Sequence, residues 1–183
     1  MITPFRKLLS KLRKEAKTNK ELGDAFEAMS KILLENDSVQ NQVYSDVWFY
    51  KDWAAERPEY SSVDIGIDLV AKIRNKDSYC AIQCKCYEST HRISKEDINS
   101  FITASSTPDF SEVLLIDTSH QSLGRHALSV LDNLDKEFRR IQTSEFENSL
   151  IDWVSYFKNN RVTKKAKKTL YDHQQEAVET VTE

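Results

Sequence analysis

The chain has 183 residues, the size of one compact domain with short appendages, with 39% apolar and 30% charged residues. No apolar run approaches the roughly 18–20 residues of a membrane span, and the basic start lacks the continuous apolar stretch and cleavage site of a secretory signal. The net charge of −3 hides an asymmetry: residues 1–20 carry seven Lys/Arg against one acid, 158–168 carry six and no acid, and 21–157 hold 13 basic and 24 acidic residues. An acidic body with two basic ends can meet a polyanion through those ends, although solvated helix faces would look the same.

In chain order, Phe5, Leu8, Leu9 and Leu12 stand at helical spacing among lysines and arginines, predicting a basic amphipathic helix over 4–17. A second helix is expected over 20–35, with Leu22, Phe26, Met29 and Leu33 as its stripe and Thr18 or Asn19 as its cap. Val43–Tyr50 reads as a strand, and 56–62 as a loop around Pro58. Residues 64–73 and 78–87 read as two strands around an Arg74–Asp77 turn. A short helix over 96–103 capped by Ser94, a buried strand over 113–117, and helices over 124–141 and 146–158 complete the reading. The fold class is α/β, a mixed sheet covered by helices.

The hairpin carries the chemistry. If its strands pair across Asn75-Lys76, opposed residues sum to 151, so Asp68 faces Gln83 and Lys85 shares their side. Cys80, Ile82, Cys84 and Cys86 fall on the other, core-facing side. A carboxylate, an amide oxygen and an ammonium on one patch suit a hard divalent cation beside a phosphate. An edge hairpin with a solvated polar face would show the same pattern. Three closely spaced cysteines make no disulfide framework and point to a reducing cytoplasm. With His91 they lack zinc-knuckle spacing, so zinc is not expected. His120 and His126 read as surface or capping residues, and Ser105, Ser106 and Ser119 lack a nucleophile-elbow setting. Trp48, Trp53 and Trp153 read as core or lid aromatics.

Gly66-Ile67-Asp68 followed by Gln83-Cys84-Lys85, with Gly23-Asp24-Ala25-Phe26-Glu27 upstream, resembles the PD-(D/E)XK nuclease superfamily and, within it, the Mrr-like restriction endonuclease branch. Ile67 stands where the superfamily's proline would precede the aspartate. The resemblance implies a restriction-endonuclease-like mixed sheet flanked by helices, and Mg2+-dependent hydrolysis of DNA with Mn2+ able to substitute. It assigns Asp68, Gln83 and Glu27 as metal ligands and Lys85 as the catalytic lysine, with Glu21 or Asp24 able to replace Glu27. Leu170-Tyr-Asp-His-Gln-Gln-Glu-Ala177 resembles the opening of superfamily 2 helicase domains, where Gln174 would contact adenine.

Together these resemble the N-terminal nuclease of type ISP restriction-modification enzymes. That implies three regions: a basic helix over 1–19, a nuclease domain over 20–157, and a basic tether over 158–183 that opens a helicase-like domain. The expected partners are double-stranded DNA, held through Lys11, Arg13, Lys14, Lys164 and Lys165, and the helicase-like and methyltransferase domains of a parent chain; no membrane is expected, and the expected location is cytoplasmic. A stand-alone repair or junction-resolving nuclease, and a nuclease-like domain that only binds DNA, are the alternatives.

Overall fold

The computed structural model describes residues 3–61, 63 and 66–165. Helix α1 (Pro4–Glu15) begins where sequence chemistry favours it. Pro4 sits in the first turn, where a missing N–H is harmless, and the Thr3 hydroxyl accepts from the Arg6 amide. Thr18 caps α2 (Asn19–Asn36) in the same way through the Glu21 amide. The α2 stripe of Phe26, Met29, Leu33 and Leu34 is buried. A single turn, α3 (Gln40–Val43), leads into β1 (Tyr44–Phe49) and α4 (Tyr50–Ala55).

The hairpin follows as β2 (Leu69–Ile73) and β3 (Tyr79–Lys85). Then come α5 (Lys95–Ala104), closed at its start by a Ser94/Asp97 capping box, β4 (Phe110–Asp117), α6 (Arg125–Asp132) and β5 (Glu137–Ile141). Two short helices, α7 (Thr143–Asn148) and α8 (Trp153–Asn159), end the described fold.

The five strands form one sheet in the order β1-β2-β3-β4-β5. β1/β2 and β2/β3 are antiparallel; β3/β4 and β4/β5 are parallel. The parallel pairs are reached through α5 and α6, as parallel neighbours require. One face carries Cys80, Ile82, Leu114 and Ile116 beneath α1, α2, α7 and α8, packed with Phe5, Phe26, Phe146 and Trp153. Ala81 and Val113 on the other face pack with Trp53 and Phe101. Both tryptophans are core residues, Trp53 being 1% exposed.

Three expectations need correction. The helix expected over 124–141 ends at Asp132, and 137–141 are strand β5. Phe138 and Ile141, three apart, fit a helical stripe, but in β5 they fall in clusters on opposite faces of the sheet. The helix expected over 146–158 is broken at Ser149–Asp152, because the Asp152 carboxylate takes the Val154 and Ser155 amides and starts α8 afresh. Helix α4 lies partly inside the expected strand at Val43–Tyr50 and was not foreseen.

The ends of the described chain belong to the fold. Phe5 of α1 stacks on Phe146 at 4.9 Å and meets the Trp153 ring edge-on at 5.6 Å. Residues 160–165 fold back: Asp152 N donates to Thr163 O at 2.8 Å, and Ile151 bridges to Lys164. The helicase-like stretch at 170–177, with Gln174, lies outside the described residues.

Candidate active site

The register of the hairpin is the expected one, since Leu69–Ile82, Val70–Ala81, Ala71–Cys80 and Lys72–Tyr79 all sum to 151. The loop is wider than a two-residue turn. Ile73 N donates to Ser78 O, Lys76 N to Ile73 O, and Asn75 adopts the left-handed φ of 63°. Past the last ladder pair, Asp68 brackets Gln83. Its amide donates to Ile82 O at 2.9 Å, and its carboxylate accepts from the Cys84 amide at 2.6 Å. Asp68 O in turn accepts from Tyr50 N, which ties the start of α4 to the same point.

Gln83 is 2% exposed. Its amide nitrogen donates to Gly66 O at 3.0 Å, while its buried Oε1 finds no donor among the described residues. Gly66 is required there: its φ is +93°, and a Cβ would lie 2.6 Å from Ser100 Oγ and 2.9 Å from Phe101 N. The Gln83 amide is thus buried and fixed at its nitrogen end, with its oxygen unmatched among the described residues, a costly state for a buried polar atom.

Beside the hairpin lies a cavity of about 750 Å³ lined by Glu27 and Asp68. Glu27 reaches it from α2, on the helix edge next to the buried Phe26. Its companions Lys20, Gly23 and Asp24 stand seven, four and three residues before it, so one face of α2 forms a wall. Lys20 pairs with Asp24 at 2.9 Å. Phe49, Tyr50, Lys51 and Asp52 from the β1–α4 junction form the opposite wall. Glu21 does not line the cavity; its carboxylate accepts from Lys17 N.

Gln83 and Lys85 stand on β3 and do not line this cavity. The Cys84 thiol between them senses the cluster. Burial pushes it well up, the negative charges of Asp68 and Glu27 push the same way, and Lys85 pulls it down. The donor atoms of Asp68, Glu27 and Gln83 are all oxygens, which suits a hard divalent cation. Among the described residues no three His, Cys, Asp or Glu side chains are gathered as a metal site.

The residues expected to hold DNA divide. Lys14 is exposed, Lys11 forms only an exposed pair with Glu15, and Lys164 is exposed on the returning chain. The Arg13 guanidinium donates to Tyr87 O and to Thr118 Oγ1 and lies 3.5 Å from Glu88. Lys165 Nζ donates to Ser149 O at 3.0 Å. Lys20, Lys51 and Asp52 went unnoticed in the sequence; the helical spacing of Lys20, Asp24 and Glu27 would have flagged one wall.

No helix among the described residues is long and apolar enough to cross a membrane. No curated protein matches the chain. Among solved structures, the ATP-dependent type ISP restriction-modification enzyme LlaBIII bound to DNA is similar, with 29% identity and a TM-score of 0.71 over 95% of this chain. The chain spans 11% of that protein's length. The DNA modification-dependent restriction endonuclease AspBHI shares the fold at 17% identity and a TM-score of 0.50, covering 79% of this chain and 34% of its own. The family model Mrr_cat_2, described as restriction endonuclease, matches residues 35–178, starting beyond Glu27 but spanning the whole hairpin. With mixed sheet, hairpin and cavity in this arrangement, the chain belongs to the Mrr_cat_2 restriction endonuclease family.

Proposed function

We propose that the chain is a metal-dependent endodeoxyribonuclease domain working within a larger translocating restriction-modification enzyme, with helicase-like and methyltransferase domains in the same parent protein. The observation that carries the nuclease reading is the meeting of Glu27 and Asp68 in one cavity beside the unmatched oxygen of Gln83. Asp68, Gln83 and Glu27 would hold Mg2+, or Mn2+ in its place. The bound cation would supply Lewis-acid stabilisation of the phosphate and a water acidic enough to ionise near neutral pH.

The protein's own groups do the rest. Asp68, fixed by the Cys84 amide, lines the same cavity as Glu27, and the two carboxylates would orient the attacking water. Lys85, half-buried at the end of β3, keeps its ammonium near the developing negative charge on the phosphate. Water adds to phosphorus, one P–O ester bond breaks, and the leaving oxygen takes up a proton. Contacts to the sugar–phosphate backbone dominate DNA binding here, with target sequence read elsewhere in the parent. Similarity to the DNA-bound type ISP enzyme supports the parent role.

The test is nicking of supercoiled plasmid in Mg2+ by the 183-residue chain and by its Asp68→Ala variant. Wild type nicks and Asp68→Ala does not, although both melt at similar temperatures. Nicking by a folded Asp68→Ala protein at the wild-type rate overturns the assignment.

A further inference from the structure

Gly23 lies inside α2, four residues into an 18-residue helix, where glycine costs stability relative to alanine. Packing does not explain it: a Cβ built there meets nothing within 4 Å. Its φ does not explain it either, since Gly66 is the only glycine with positive φ among the described residues. Gly23 lines the cavity between Lys20 and Glu27 with no side chain, and Lys51 lines the same cavity from the start of α4. Lys51 is exposed and forms no salt bridge among the described residues. Lys20 is differently employed, holding Asp24 through both carboxylate oxygens at 2.9 and 3.0 Å.

We propose that this groove seats the DNA strand being cut: the bare α2 backbone at Gly23 lets the sugar–phosphate chain pass close to Glu27 and Asp68, and Lys51 holds a neighbouring phosphate from the opposite wall. The proposal rests on the nuclease reading and adds to it the path of the strand and two positioning residues. The chemistry fits. Asp24, Glu27, Asp52 and Asp68 line the cavity, so an unaided polyanion would be repelled. A phosphate can approach only where acids are neutralised or absent. Lys20 neutralises Asp24, Gly23 presents no side chain at all, and Lys51 supplies a cation. Any side chain at 23 would fill the space that the strand needs while leaving the free protein undisturbed.

Opposite signs of effect make the test sharp. Helix propensity predicts that Gly23→Ala and Gly23→Gln melt at the same temperature as wild type or higher. Binding of a fluorescein-labelled duplex is followed by anisotropy in an Asp68→Ala background, which separates binding from cleavage. There Gly23→Gln weakens affinity about tenfold, the scale of forcing a group into filled space. Lys51→Ala lowers the slope of log affinity against log salt by about one, the loss of one phosphate contact. In the active chain both variants raise KM and leave kcat near wild type. If wild type binds and nicks DNA while Gly23→Gln binds it equally well, the groove is wrong and the nuclease reading stands. Weakened binding that tracks a fall in melting temperature also overturns the groove. If wild type neither binds duplex nor nicks plasmid, both readings fall together.

Discussion

The two ends of the β2–β3 hairpin are built from similar residues and behave differently. At the turn end, charges find partners: Lys72 pairs with Asp77 at 2.8 Å, and Lys76 with Glu112 at 3.1 Å. At the open end, Asp68 and Glu27 line one cavity, and the buried amide oxygen of Gln83 is left without a donor among the described residues. Burial separates the cases. Asp77 is fully solvated, so its ion pair is a surface detail, whereas Gln83 sits inside the protein, where an unmatched oxygen is costly. A fold keeps such a cost where something else is gained.

The contrast can be broken or sharpened by substitution. Lys85→Ala has the largest expected effect: plasmid nicking falls by roughly 10²–10⁴-fold, the range for losing a positioned catalytic group, with the circular dichroism melt unchanged. A nicking rate near wild type would remove the open end's claim to the chemistry. Gly66→Ala comes next. It forces a side chain into a left-handed backbone against Phe101 N, costing about 1–3 kcal/mol of stability by chemical denaturation. It also disturbs the carbonyl that anchors Gln83, so nicking falls by more than the folded fraction does.

Asp77→Asn at the turn end is the smallest change. Lys72 beside it holds the Asp77 carboxyl below its ordinary value. Whatever the pair contributes is therefore present above the ordinary carboxylate range and fades as pH falls through the lowered value. Full exposure keeps it slight, so melting temperature and nicking at pH 7 should match wild type; a clear loss in either would erase the distinction between the two ends.

Much of the hairpin was legible because its alternation and its Asn75 turn are local features that fix pairing together. The same logic misled at 124–141, where apolar spacing suits a helix and the deciding fact, parallel pairing of Phe138 with Val113, comes from a strand more than twenty residues away in the chain. Charge was legible and its use was not. Arg13 and Lys165 read as DNA contacts, and their hydrogen bonds to backbone carbonyls arise only in the folded chain. Glu27 was recoverable from a motif, but the emptiness around Gly23 is a property of three dimensions.

The loop at 74–77 also acts as the gauge of the reaction centre. It lies a full strand away, roughly 17 Å for the five residues of β2 at about 3.4 Å each, and touches no group in the cavity. Even so, one residue removed from it and absorbed by a slip of β3 would exchange the two faces of that strand. Cys84 would then stand where Gln83 does, and Lys85 would be driven under α2 among Phe26 and Met29. Drift in this short surface loop is thus limited by a centre it never contacts, and its length is held more tightly than its exposed side chains.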